Sequence, residues 1–210
     1  MTKTLINLCG PTAVGKTNVA LYWAEKLGCP ILSTDSRQCY RELAIGSAPP
    51  SREELDRVPH YFIADRSIQQ PITAGEYEHF ALATLQDIFK EHDVVVAVGG
   101  SGMYIDALLH GLDPLPSDPK VKAELEQRAV AEGLAALKTE LYHLDPEHSA
   151  KVDVRNPRRV IRALEVIEIT GKKYSEQLNN TPKDRPFKVG TRALKLERRV
   201  LSGLIDRQYL

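Results

Sequence analysis

An α/β fold, a parallel sheet core carrying an inserted helical lobe, is what this sequence predicts, and three observations predict it. Residues 5–17, LINLCGPTAVGKT, pass from an apolar run through a glycine-bounded loop into a helical pattern. Val94 to Val98 form an unbroken apolar run of the kind buried on both faces of a central parallel strand. From Asp113 to Pro186 the pattern changes to charged, amphipathic helices between proline-rich hinges. The G-x-x-x-x-G-K-T spacing makes the core P-loop NTPase-like. Residues 1–116 are assigned to that core, 117–181 to the helical insertion, and 182–210 to an incomplete return to the core.

The loop spacing has a physical reason. Glycines at both ends, Gly10 and Gly15, let the chain curl until successive backbone N–H groups point inward at phosphate oxygens. The helix starting near Lys16 adds the positive end of its dipole. Lys16 supplies a mobile charge for the outer phosphate, and the Thr17 hydroxyl is placed to hold Mg²⁺.

After that helix, Pro30 breaks the pattern and Ile31 to Thr34 form a short second strand ending at Asp35-Ser36-Arg37-Gln38-Cys39-Tyr40. Ligands of open parallel sheets sit beyond the carboxyl ends of the strands, so Asp35 is expected to face the same crevice as Lys16. A carboxylate there can act as a general base, bind magnesium through water, or cap the next turn. Residues 41–75 are rich in breakers, with one helical turn near Ser51 to Asp56; His60 and Tyr61 either line a substrate wall or fill the underside of this loop.

Gly75 to Glu91 carries apolar residues at helical spacing and reads as a crossover helix leading to the central strand. That strand ends in Gly99-Gly100-Ser101-Gly102. This second glycine-rich turn either presents N–H groups and the Ser101 hydroxyl to a ligand or is simply a tight strand-to-helix turn. The strand brings no Asp where a Walker B carboxylate would stand, which argues against an ordinary ATPase or GTPase.

In the insertion, Asp118-Pro119 reads as the cap and first position of a helix running to about Ala131, followed by another from Leu134 to Leu144. Asn156-Pro157 opens a third, which Gly171 ends, with Val160, Ile161, Leu164 and Ile167 as its buried stripe. Arg158, Arg159 and Arg162 crowd its first turns and oppose the helix dipole, at about 0.3–1 kcal/mol each where exposed. Capping aspartates or a phosphodiester backbone would compensate them. Phe187 to Leu196 is expected to add a strand, and Arg198 to Leu210 to begin a helix.

Composition narrows the class. The 210 residues suffice for one good core with a smaller lobe. The net charge of zero conceals an asymmetry: residues 1–150 carry 13 Lys and Arg against 21 Asp and Glu, and residues 151–210 carry 15 against 7. A basic end suits a polyanionic partner. No apolar run approaches the roughly 20 residues that span a bilayer, and Met1 to Thr4 leads into a strand without a signal-peptide pattern, so a cytoplasmic protein is expected. Cys9, Cys29 and Cys39 contain no C-x-x-C pair, which indicates neither a disulfide framework nor a zinc site.

Taken together, GPTAVGKT, DSRQCY, VPHYFI, ITAGEYEHFA, VVAVGGSGMYIDALLHGL and NPRRVIRALEVIEITGK resemble, in order, the motifs of the tRNA dimethylallyltransferases. The resemblance implies transfer of a five-carbon prenyl group from dimethylallyl diphosphate to the N6 amine of the adenosine just 3′ of the anticodon in tRNA. It implies that Gly10, Thr12, Ala13, Val14, Gly15, Lys16 and Thr17 bind the donor diphosphate, with Mg²⁺ on Thr17, and that Asp35 is the general base. It further implies that Asp35, Ser36, Arg37 and Gln38 touch the flipped-out adenosine, that Ser101 matches a tRNA-contacting threonine, and that Arg158, Arg159 and Arg162 meet the anticodon loop. The sequence departs from the family at Ser47 and Pro49, where Thr and Lys are usual, and at Cys39, where an aliphatic residue is usual. Family members run on for about a further third, so a shortened, monomeric member is expected. The rival readings are a P-loop small-molecule kinase and an inactive RNA-binding fragment.

Overall fold

In the computed structural model, which describes residues 2–179, 181–197 and 200, the chain divides into two compact units. One comprises Met1–Gly111 with Pro182–Leu210, the other Leu112–Thr181. The helix expected over Arg198 to Leu210 lies, but for Val200, outside the described residues.

The first unit is built on a five-stranded parallel sheet in the order β3-β2-β4-β1-β5, with β1 at Thr4–Cys9, β2 at Ile31–Ser33, β3 at His60–Tyr61, β4 at Val94–Val98 and β5 at Lys188–Ala193. The apolar run of β4 lies between β1 and β2, where both faces need cover. One face packs Leu5, Leu32, Val95 and Ala97 against helices α3 (Ala74–Glu91) and α4 (Gly102–His110). The other packs Leu8, Ile31 and Val96 against Ala20, Leu21 and Ala24 of helix α1 (Lys16–Leu27). The sheet is therefore sandwiched, and its carboxyl edge carries the phosphate loop, the Asp35 segment and the glycine-rich turn.

Helix α3 begins in a capping box, with the Thr73 hydroxyl accepting from the Glu76 N–H and the Glu76 carboxylate accepting from the Thr73 N–H. Ser51 and Glu54 make the same box on the short helix α2 (Arg52–Arg57). Two-residue β3 has no periodicity to read, which is why the irregular stretch 41–75 conceals it. Phe187 to Leu196 does supply a strand, β5, in register with β1 from Thr4↔Lys188 to Cys9↔Ala193.

The second unit holds α5 (Pro119–Ala131), α6 (Leu134–Leu144), α7 (Pro146–Lys151), α8 (Pro157–Thr170) and the short α9 (Tyr174–Gln177). Asp118 caps α5 with Pro119 at its first position, and Asn156 and Pro157 do the same for α8. Leu125, Leu137 and Leu141 pack against the stripe Val160, Ile161, Leu164 and Ile167, each contributing roughly 1.5–3 kcal/mol on burial. Asp145, fully buried, joins α7 to α9: its carboxylate accepts from the His148 N–H and from both the N–H and hydroxyl of Ser175. Sequence periodicity misses α7 and α9 because each is under two turns long.

Among the described residues no helix is long and apolar enough to cross a membrane.

Candidate active site at the carboxyl edge of the sheet

The phosphate loop leaves β1 at Gly10, whose φ of +148° and surroundings both demand glycine. A Cβ there would stand 2.7 Å from the Leu194 carbonyl oxygen, where the chain leaving β5 passes and the Leu194 N–H donates to the Cys9 carbonyl. Ala13 holds a left-handed φ of +62°, an unfavourable state for a residue with a side chain and one that gathers at functional loops. The Lys16 ammonium turns back over the loop and donates to the carbonyls of Gly10 (3.0 Å) and Pro11 (2.8 Å). Burial lowers its pKa below the ordinary lysine value, opposed by the negative charge of Asp35 and the neighbouring Cys9.

Asp35 follows β2 and fills the capping role among the three open to it, while its second oxygen stays on the cleft. Its Oδ1 accepts from the N–H groups of Arg37 (2.9 Å) and Gln38 (3.2 Å), capping the turn, and its own N–H donates to the Ser33 hydroxyl. Its Oδ2 faces Gly100, 4.0 Å from where a Cβ would stand. Capping by one oxygen thus fixes the other at the edge of a cleft.

That cleft has a volume of about 370 Å³. Thr12, Ala13, Gly15, Lys16 and Thr17 form one wall, Asp35 and Gln38 another, and Gly99 and Gly100 a third. The Gln38 amide donates to the carbonyls of Ser47 (3.3 Å) and Ala48 (3.0 Å), holding a loop whose Ser47, Ala48 and Pro50 close the far side. The size lies at the lower end of small-ligand sites, near 300–1,000 Å³.

The structure therefore gathers most of the residues expected at the site and leaves some out. Gly10 and Val14 belong to the loop without lining the cleft, and neither Ser36 nor the exposed Arg37 lines it. Ser101 lies outside the lining as well: its N–H donates to the Thr34 carbonyl, and it precedes α4 without a side-chain capping bond. The Gly99-Gly100 turn thus serves as a tight connection and also as a cleft wall. His60 lines the cleft rather than filling the underside of the loop; its Nδ1 lies 2.8 Å from the Val58 carbonyl. Burial lowers its pKa, outweighing that carbonyl, so the ring is neutral at pH 7. Ile63, Val98 and Ala20 also line the cleft and carry no sequence signal beyond being apolar.

Thr17 and Asp35 place hard oxygen donors on one cleft, and among the described residues no cluster of three or more His, Cys, Asp or Glu builds a protein cage for a metal. So sparse an oxygen set fits Mg²⁺, which keeps water and takes phosphate oxygens.

In the helical unit Arg158 and Arg159 are exposed at the start of α8. Arg162 differs from them. Its guanidinium donates to the carbonyls of Leu115 and Pro116 and pairs at 2.8 Å with Glu165, a carboxylate 2% exposed that also accepts from Ser117 and the Asp118 N–H. The charge of Arg162 is thus compensated within the unit by a buried glutamate one turn away, the carboxylate alternative offered by the sequence.

The IPP transferase family model matches residues 38–209. The chain is 45% identical over 208 residues to tRNA dimethylallyltransferase 2 of Porphyromonas gingivalis, covering 99% of this chain and 69% of that protein. It is 42% identical over 207 residues to the tRNA dimethylallyltransferase of Cytophaga hutchinsonii, covering 98% and 68%. Among solved structures it is similar to the full-length tRNA isopentenylpyrophosphate transferase of Bacillus halodurans, with a TM-score of 0.63 and 32% identity, over 98% of this chain and 64% of that one. A eukaryotic dimethylallyltransferase acting on tRNA shares the fold at a TM-score of 0.76 and 22% identity, over 99% and 53%.

Proposed function

Because the chain belongs to the tRNA dimethylallyltransferase family, we propose that it transfers a dimethylallyl group from dimethylallyl diphosphate to the N6 amine of the adenosine 3′ of the anticodon in tRNA. The observation that carries the site assignment is the single cleft shared by Lys16, Thr17 and the uncapped oxygen of Asp35. We further infer that it acts in the cytoplasm as a monomer.

The reaction divides between the two walls. Donor diphosphate enters the curled loop, where backbone N–H groups and the start of α1 receive its oxygens, and Lys16 exchanges its two loop carbonyls for the outer phosphate. Thr12 and Thr17 add hydroxyls. Thr17 would hold Mg²⁺, which when bound neutralises charge on the diphosphate. On the opposite wall Asp35 Oδ2 accepts the N6 proton as the nitrogen forms its bond to the allylic carbon and the carbon–oxygen bond to diphosphate breaks. The amine is a weak nucleophile while its proton has nowhere to go, and the leaving group departs readily once its charge is held. Gln38 supports the wall through the 47–48 carbonyls, and Arg158 and Arg159 are assigned to RNA phosphates.

A kinase reading is disfavoured by the missing Walker B carboxylate and by the relatives' names; an inactive fragment is a matter for assay. The test is incubation of this chain with labelled dimethylallyl diphosphate, Mg²⁺ and unmodified tRNA, followed by nucleoside analysis, with Asp35→Asn beside it. Asn keeps an oxygen to cap the turn, so the variant should hold its fold and its diphosphate affinity while losing transfer by about 10²-fold or more. Undiminished transfer by the variant would remove Asp35 as the base.

A further inference from the structure

The segment that carries Asp35 begins where β2 ends, so its backbone groups must find partners outside the strand ladder. At its near end the Asp35 N–H donates to the Ser33 hydroxyl, and the Arg37 N–H to Asp35 Oδ1. The Tyr40 N–H then donates to the Arg37 carbonyl at 3.1 Å. At its far end the Tyr40 hydroxyl accepts from the Ile72 N–H (3.0 Å), just ahead of α3, and the Ile72 carbonyl accepts from the Tyr104 hydroxyl (3.1 Å) on α4. The Tyr104 ring lies flat on that of Tyr77, with centroids 4.2 Å apart and 7° between the planes. Tyr77 closes the circuit: its hydroxyl donates at 2.8 Å to the carbonyl of Ser33, the residue from which the segment departs.

Tyr77 is fully buried in the first turn of α3, which the Thr73 and Glu76 capping box fixes, and it does not line the cleft. Burial raises its phenol well above the ordinary tyrosine range, so the hydroxyl keeps its proton and remains a donor. The ring alone would join α3 to the sheet: it packs against Phe62, centroids 4.9 Å apart, and against Tyr104, and a phenylalanine would fill the same space. What the hydroxyl adds is direction. It ties the Ser33 carbonyl to a helix, and the hydroxyl of the same Ser33 orients the Asp35 peptide, whose carboxylate caps the turn.

We propose that Tyr77 is a positioning residue for Asp35: its hydroxyl closes a ring of contacts around the Asp35 turn and holds Oδ2 on the cleft without itself meeting substrate. The proposal rests on the reading of Asp35 as the base that receives the N6 proton. A base displaced by a fraction of an ångström leaves the binding contacts of both substrates in place, so the loss falls on the chemical step rather than on affinity. Displacements near 1 Å cost on the order of 10²-fold.

Single-turnover transfer by this chain with Mg²⁺, labelled dimethylallyl diphosphate and unmodified tRNA, measured for Tyr77→Phe in two backgrounds, tests this. With Asp35 present, Tyr77→Phe should lower the maximal rate about tenfold, while the half-saturating concentration of each substrate stays within about twofold of wild type. In the Asp35→Asn background, where no base remains to be held, the same change should lower the residual rate by less than about twofold. Tyr104→Phe opens the ring at Ile72 and keeps the stacked pair, so it carries the same test should Tyr77→Phe misfold; a loss of about threefold, confined to the background with Asp35, is expected. Equal losses in both backgrounds would show that the hydroxyl acts on the fold at large and would overturn the proposal, as would a wild-type rate in the folded variant. Undiminished transfer by Asp35→Asn, or none by the wild type, would instead remove the reading of Asp35 as the base, and the proposal with it.

Discussion

Gly99 and Thr34 meet backbone to backbone: a Cβ on Gly99 would stand 2.4 Å from both the carbonyl carbon and the hydroxyl oxygen of Thr34. The contact joins the carboxyl ends of β4 and β2, and the residues that follow, Gly100 and Asp35, lie side by side in the cleft lining. Gly99→Ala must push these strand ends apart, because the obstructing atoms include main chain. Its expected cost is about 1–3 kcal/mol, read as a lowered denaturant midpoint, with prenyl transfer falling more than diphosphate binding. Gly100→Ala is the control. Its nearest neighbour, Asp35 Oδ2, is an ordinary van der Waals contact away, so stability should stay close to wild type.

Lys16 should set the alkaline limit of the proposed diphosphate site. Burial holds its pKa below the ordinary lysine value of 10.5, so the folded state penalises the ammonium. Linkage fixes the sign: folding stability rises with pH between the folded and unfolded lysine values, where the unfolded chain binds more protons. Diphosphate affinity moves oppositely, falling as the ammonium is lost, and the fall should begin at a lower pH than for an exposed lysine. Calorimetric titration of inorganic diphosphate across the alkaline range measures it; Lys16→Arg should move the fall to higher pH, and an identical profile in that variant would remove Lys16 as its source.

The three arginines of α8 should separate into two classes. Arg158→Ala with Arg159→Ala should leave thermal stability near wild type and weaken tRNA binding, reducing the slope of log affinity against log salt by about 1 to 2, since each lost phosphate contact removes roughly one released counterion. Arg162→Ala should do the converse. It strands the buried Glu165 carboxylate and frees the Leu115 and Pro116 carbonyls, at about 3 kcal/mol, while the salt slope changes little. An unchanged slope in the double variant would return Arg158 and Arg159 to plain surface residues.

Those outcomes bear on why the site was partly legible in the sequence. The phosphate loop could be read because glycine spacing, strand and helix are contiguous, so local chemistry determines the geometry. Asp35 could be placed on the crevice because a parallel sheet puts all strand ends on one edge. Arg162 could not be told from Arg158 and Arg159: the Leu115 and Pro116 carbonyls it donates to are more than forty residues away, and its ion-pair partner Glu165, one turn along the same helix, is held by Ser117 and the Asp118 N–H, which the charge pattern of one helix does not reveal. His60 and Ile63 reach the cleft through a two-residue strand whose pairing with β2 is set by tertiary contact rather than by any alternation.

Glu78 offers a test of how the returning segment is held in the first unit. Its carboxylate, 6% exposed, pairs with Arg185 at 3.0 Å and Lys183 at 3.1 Å, and Arg185, 7% exposed, also donates to the Ala107 carbonyl at the end of α4. The two cations precede β5, so the pairing clasps the chain just before it joins the sheet beside β1. Glu78→Gln keeps the shape and removes the charge, leaving the Arg185 guanidinium buried without its counterion, at about 3–5 kcal/mol. Lys183 is half exposed and can turn to solvent, so Lys183→Ala should cost about 1 kcal/mol or less. Replacing both buried partners, Glu78→Leu with Arg185→Leu, removes the stranded charge and should recover most of the loss in Glu78→Gln, because an apolar pair escapes the desolvation that the ions incur. Denaturant midpoints of the four proteins measure this; a double variant less stable than Glu78→Gln would show that the clasp acts through its specific geometry rather than by charge compensation.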